Sequence, residues 1–196
     1  MVALWMGVAA FILFFLYDIN SITNRWKLLH AGFLLGFLLL IAATGIDLWR
    51  AVCLGAIAGL ADYLLLLAAV LCLAALVYCL FFAIPFKETY EEQETGRHVC
   101  SSGAYALCRH PGILCFFGMY LFLGLAALPS GMLRNGMVFS LLNLGYAWFQ
   151  DRVSFPKTFC DYREYQASVP FLIPTGASIR KALHHLSASE NEGEMS

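Results

Sequence analysis

The chain of 196 residues is 61% hydrophobic and only 13% charged, with a formal net charge of -1, whereas an ordinary soluble domain carries about 25% charged residues. Its mean hydropathy is +0.73, and its charges are bunched between long uncharged runs. That pattern excludes an ordinary soluble globular domain, offers no basic field for nucleic acid, and indicates an integral membrane protein in contact with the lipid bilayer.

The first apolar run, residues 1–17, stops at Asp18 and the polar stretch Asn20-Ser21-Ile22-Thr23-Asn24. It has no basic leading segment and no clear cleavage site, so it reads as a retained helix and not as a removed signal peptide. A bilayer span needs ~20 residues within a range of about 17–25, and this run is just long enough. The second run, 28–46, follows Arg25-Trp26-Lys27 and contains Gly32-x-x-x-Gly36, a spacing that lets helices approach closely. Residues 51–61, between Arg50 and Asp62, are apolar but too short to span and carry Gly55-x-x-x-Gly59. They read as an interfacial or re-entrant piece, or as the early turns of the third run, 63–86, which Pro85 closes.

Residues 87–110 form the longest polar connection. Thr89 and Glu92 have capping-box spacing, and Glu88, Glu91, Glu92 and Glu94 read as a solvated face. The fourth run, 111–133, opens at Pro111, a residue favoured in the first helical turn, and is broken near its end by Pro129-Ser130-Gly131. With the fifth run, 135–150, it makes a tight helical hairpin. A polar, aromatic tail covers 151–174, and residues 187–196, rich in Ser, Glu and Asn, are expected to be disordered. The predicted fold is all-α: a polytopic membrane protein with about five transmembrane helices, one embedded domain over 1–186, and cytosolic segments 96–110 and 151–174, the latter a C-terminal lid. No charged residue falls within the five runs, so neither a transporter nor a proton path is expected.

Five spans put the termini on opposite sides. Arg25, Lys27, Lys87, Arg97, Arg109, Arg152, Lys157, Arg163, Arg180 and Lys181 share one face; Arg50 and Arg134 occupy the other. The positive-inside rule then places the third loop and the tail in the cytosol and the N-terminus outside. The cysteines at 53, 72, 79, 100, 108, 115 and 160 show neither a C-x-x-C pair nor zinc spacing. Their odd number argues against a disulfide framework, and no metal site is expected. Oligomeric state is not legible.

Two polar constellations stand out. The first is Gly103-x-Tyr105-x-x-x-Arg109-His110-Pro111, a polar turn running straight into the fourth apolar run. It sets Arg109 and His110 at a helix mouth, beside unpaired backbone N–H groups and the positive end of the helix dipole, which together favour an anion. The second is Gln150-Asp151, then Tyr162-x-x-Tyr165, then Val169-Pro170 and Ile173-Pro174.

Jointly, in order and with their internal spacing, these motifs resemble the isoprenylcysteine carboxyl methyltransferase and phospholipid methyltransferase family of integral membrane enzymes. The resemblance covers roughly residues 96–174. It implies S-adenosylmethionine as cofactor and a lipophilic small-molecule acceptor: a carboxylate, thiol, amine or phenol on an isoprenoid, phospholipid or quinone-like molecule. It implies a cofactor site at Gly103, Tyr105, Arg109, His110, Pro111, Asp151, Tyr162 and Tyr165, with Arg109 and Asp151 as the catalytic residues. Under it, Arg109 and the helix N-terminus at Pro111 are expected to hold the cofactor carboxylate, and His110 to donate to that group or to the ribose. Tyr105, Phe155, Phe159, Tyr162 and Tyr165 are expected to cover the adenine and the sulfonium, Asp151 to bind the amino group or ribose hydroxyls, and Gly103 to allow a close backbone approach. The family pattern continues with Tyr and Gly where this chain has Ile113 and Cys115, and its acidic pair falls on Gln150 and Asp151.

Other readings stand beside these. Arg109-His110 also reads as a snorkelling, topology-fixing pair, and the three tyrosines as interface-belt residues. His30 reads as an interface residue and His184-His185 as a pair without a metal. The rival functions are a catalytically inactive binding or assembly module on the same fold and a membrane reductase that binds a nicotinamide cofactor.

Overall fold

The computed structural model describes residues 1–23, 25–83, 97–176 and 178–180. The Thr89–Glu92 spacing, the four glutamates, the end of the third run, His184-His185 and the tail 187–196 lie outside the described residues. Those described are helical and contain no strand. In chain order the helices are α1 (Val2–Thr23), a 3₁₀ turn (Lys27–Ala31), α2 (Gly32–Cys53), α3 (Leu60–Val77) with a π-helical turn (Tyr78–Phe82), α4 (Ala104–Leu107), α5 (Pro111–Ala126), α6 (Met132–Phe149) with a π-helical turn (Gln150–Ser154), α7 (Phe155–Thr158) and α8 (Tyr162–Ser168).

Among the described residues three segments are long and apolar enough to cross a membrane: Val2–Thr23, Lys27–Cys53 and Leu60–Phe82. They turn apolar side chains outward, among them Ile12, Leu35, Leu38, Leu67 and Leu71, as helices do in lipid. The fourth run forms a shorter helix than expected, whereas α6, with 18 residues, starts ahead of the expected fifth run. Helix α5 has 16 residues and stops at Ala126, because the chain turns through Pro129, Ser130 and Gly131. Gly131 has φ 92°, and the Ser130 hydroxyl accepts the Met132 amide, so the turn falls where the sequence places it and α6 starts at Met132.

Contacts divide the chain into two compact units, Met1–Ala74 with Cys115–Ser154, and Ala75–Leu114 with Phe155–Ser196. In the first, the spacing of Gly32 and Gly36 does what it predicts. A Cβ on Gly36 would lie 2.9 Å from the Ala10 carbonyl oxygen and 2.8 Å from the Phe14 ring, so α1 and α2 approach nearly backbone to backbone. Phe11, Phe116, Tyr120 and Phe139 continue this core as edge-on and tilted rings. Gly55 and Gly59 do not repeat the device. Gly55, at φ 61°, ends α2: its amide bonds to the Val52 carbonyl and that of Ala56 to Ala51, the paired bonds of a Schellman cap. Residues 51–53 therefore finish α2, 54–59 connect, and 60–61 begin α3.

The expectation that the spans hold no charge is overturned. Both first helices run past the residues at which their apolar runs stop, so α1 includes Asp18 and α2 includes Asp47. No proline interrupts the chain there, and each carboxyl is buried against polar side chains. Asp18 meets Gln150 and Tyr146. Asp47, 0% exposed, accepts from Asn135 Nδ2 at 2.7 Å. One turn before it, Thr44 shares a 2.6 Å hydroxyl bond with Tyr120.

Candidate functional site

The second unit contains the polar turn and most of the aromatic tail. Gly103 precedes α4 at φ 57°, ψ −130°, a region open to glycine and costly for other residues. Nothing stands within 4 Å of where its Cβ would be. Backbone geometry, more than crowding, therefore requires the glycine. It lets the chain reverse into α4, where the Tyr105 hydroxyl donates to the Cys79 carbonyl at 3.0 Å.

The two constellations meet here. The Arg109 amide donates to the Pro170 carbonyl at 2.9 Å and the His110 amide to that of Phe171 at 3.2 Å. Arg109 Nη1 reaches across to the Gln166 carbonyl at 3.0 Å and to that of Val169. These are carbonyls at the end of α8, where the backbone runs out of helical donors and a cation is favoured. From the other side the Tyr165 hydroxyl donates to the Tyr105 carbonyl at 2.7 Å. Residues 57 to 61 apart in sequence are thus laced together by bonds to main-chain carbonyls.

Two consequences amend the sequence reading. The mouth of α5 is not an array of unpaired amides: those of Arg109 and His110 go to Pro170 and Phe171, and that of Ile113 to the His110 carbonyl. Tyr162 and Tyr165 are not interface-belt residues. At 2% and 5% exposure they form a buried core with Val169, against which Val99, Phe155 and Phe159 pack. Burial in this core, with Tyr105 beside it, pushes the Tyr165 hydroxyl well above the usual tyrosine range, so it remains a protonated donor at neutral pH.

His110 is buried, its ring stacked on Phe155 with centroids 5.8 Å apart and planes 11° from parallel; Phe171 meets it edge-on at 5.0 Å. The Arg109 guanidinium lies 5.8 Å from the Phe171 ring centre. Pro111 is buried and opens α5 as expected. Gly103, Tyr105, Arg109, His110, Pro111, Tyr162 and Tyr165 therefore all belong to the second unit, whereas Asp151 is buried in the first, in the turn after α6.

Two polar groupings escape sequence reasoning. One is the Asp47–Asn135 pair, with partners 88 positions apart. The other is His98, Cys160 and Asp161 in the second unit, whose side-chain ligand atoms all lie within 4.8 Å of one another. Neither has a local spacing that announces it. No protein-family model matches the chain, and neither a curated protein nor a solved structure matches it.

Proposed function

We propose that this chain is a membrane-embedded enzyme that transfers a methyl group from S-adenosylmethionine to a lipid-soluble acceptor at the cytosolic face. In this reading α5 and α6 complete five spans and the tail acts as a lid. The observation that carries it is the lacing of the Arg109-His110-Pro111 mouth to the Tyr162–Phe171 stretch. The first motif and the Tyr162–Pro174 part of the second then occupy one compact unit, with Gln150 and Asp151 in the other.

The residues present suit such a cofactor. His110, Phe155 and Phe171 form an aromatic group with two nearly parallel rings, of the kind that takes a flat base or a sulfonium. Arg109 brings a permanent positive charge to the same mouth for a carboxylate. Bound there, S-adenosylmethionine would supply an electrophilic methyl group. The chain's own part is to bind and orient, since an in-line displacement depends chiefly on positioning. Tyr162 and Tyr165, buried behind Phe155, hold the aromatic group in place from behind. An acceptor that is already anionic, such as a prenylcysteine-type carboxylate, suits this site best because its methylation needs no proton removal.

One observation favours the non-enzymatic alternative, a binding or assembly module. Arg109 already serves main-chain carbonyls through both its amide and its guanidinium, as a purely structural residue does. Calorimetry of the full chain in detergent separates the two. A Kd of about 1–100 μM for S-adenosylmethionine, or ~5.5–8 kcal/mol, weakened at least ~10-fold in a folded His110→Ala, Phe155→Ala variant, supports the enzyme. Folded wild type that does not bind the cofactor would leave the module.

A further inference from the structure

Outside the methyl-transfer site, and independently of that reading, we propose that His98, Cys160 and Asp161 bind a divalent transition-metal ion, with Zn²⁺ the best match. His98 Nδ1 lies 3.2 Å from Asp161 Oδ2, and Cys160 Sγ lies 3.5 Å from the same nitrogen. Zinc sits ~2.0–2.1 Å from nitrogen or oxygen and ~2.3 Å from sulfur, so a tetrahedral ion spaces neighbouring ligand atoms by roughly 3.3–3.6 Å. The two observed distances are close to the edges of that tetrahedron. Cys160 Sγ is also 3.7 Å from His98 Nε2, and a turn of the ring about χ2 aims one of its nitrogens at an ion beside the sulfur.

The surrounding backbone holds the three ligands in register. The Val99 amide donates to Asp161 Oδ1 at 2.9 Å, fixing the carboxylate and directing Oδ2 toward the imidazole. The Cys160 amide donates to the Arg97 carbonyl at 3.0 Å, tying the segment before α4 to the one before α8. The Cys160 thiol lies 3.3 Å from that same carbonyl, a contact given up when the sulfur ionises to bind metal. Outer-shell bonds of this kind orient ligands and raise affinity.

The donor set selects the ion. One thiolate, one imidazole and one carboxylate disfavour Ca²⁺ and Mg²⁺, which take oxygen ligands. Two anionic ligands neutralise a divalent cation, so this half-exposed site is left with no net charge. Three protein ligands leave the fourth position for water or another ligand. Asp161 also lines an open cleft of about 290 Å³ with Val99, Ser101, Glu164, Tyr165 and Ser168, which provides room for one.

The test uses the full chain, purified in detergent, stripped with chelator and titrated with Co²⁺ and then Zn²⁺. The expected result is one equivalent of Co²⁺ with a thiolate-to-cobalt absorption band that Zn²⁺ abolishes and that is missing in Cys160→Ser. His98→Ala and Asp161→Ala are expected to weaken Zn²⁺ by at least ~100-fold, the upper end of the loss for a mere outer-shell partner. A second measurement needs no variant: Zn²⁺ should shield Cys160 of the wild-type protein from maleimide while leaving Cys100 unchanged, read by peptide mass. Absence of Zn²⁺ binding, a cobalt band that survives in Cys160→Ser, or equal labelling of Cys160 with and without Zn²⁺ would each overturn the proposal.

Discussion

Replacing Arg109 with alanine tests the lacing of the second unit most directly. The guanidinium donates through Nη1 to the Gln166 and Val169 carbonyls and lies 5.8 Å from the Phe171 ring centre. Hydrogen bonds involving a charged group contribute ~1.5–3 kcal/mol each, and an exposed cation–π contact ~0.5–1 kcal/mol. Arg109 is half-buried and a single nitrogen makes both bonds, so partial screening and sharing bring the expected loss to roughly 2–4 kcal/mol. Amide hydrogen exchange with peptide mass readout localises the effect. If local opening controls exchange, that loss corresponds to roughly 30- to 1,000-fold faster exchange. The acceleration should appear jointly over residues 104–110 and 165–171, with α1 and α2 unaltered. Arg109→Lys should recover only part of the protection, because an ammonium lacks the planar fork. Unchanged exchange in both stretches of a folded Arg109→Ala protein would refute the idea that this side chain joins them.

In the first unit, Gly36→Ala should destabilise by about 1–3 kcal/mol through overpacking against Ala10 and Phe14. Gly45→Ala, with nothing within 4 Å of the new Cβ, should show only the helix-propensity gain of about 1 kcal/mol and serves as its control in thermal unfolding. Gly103→Ala should cost about 1–3 kcal/mol, purely through backbone strain, since its Cβ meets open space; the same unfolding assay measures it. Alkaline pH should weaken the second unit through Tyr165, whose folded pKa is raised above the ordinary 10.0. The stabilisation is complete below pH 10, begins to fall as the unfolded chain ionises there, and is lost as pH rises through the folded pKa. Tyr165→Phe should flatten this part of an alkaline unfolding curve, although it also removes the bond to Tyr105.

What the sequence reveals depends on how locally each feature is encoded. The reversal at Pro129-Ser130-Gly131, the start of α5 at Pro111 and the close approach at Gly32 and Gly36 are written in neighbouring residues. The ends of α1 and α2 are not. A count of apolar residues stops at Asp18 and Asp47, whereas the helix continues because Asn135, 88 positions from Asp47, accommodates its carboxyl. The cluster of His98, Cys160 and Asp161 is hidden for the same reason, His98 lying 62 and 63 positions from its two partners. Arg109 is conspicuous in the sequence, but its partners are carbonyl oxygens, which every residue possesses and no motif can mark. Tyr162 and Tyr165 show the limit of residue type: a phenol suits a membrane interface or a core equally, and only packing decides.

The lacing also sets a schedule for synthesis. Arg109 leaves the ribosome well before Val169, 60 residues later, which at 5–20 residues per second is an interval of about 3–12 s. Throughout it the mouth of α5 exists without the carbonyls that occupy its donors, and a waiting chaperone or lipid headgroup would find an arginine still unclaimed. A nascent chain stalled before Gln166 would hold that state indefinitely, so quality control at the membrane has a chemically distinct half-made protein to recognise.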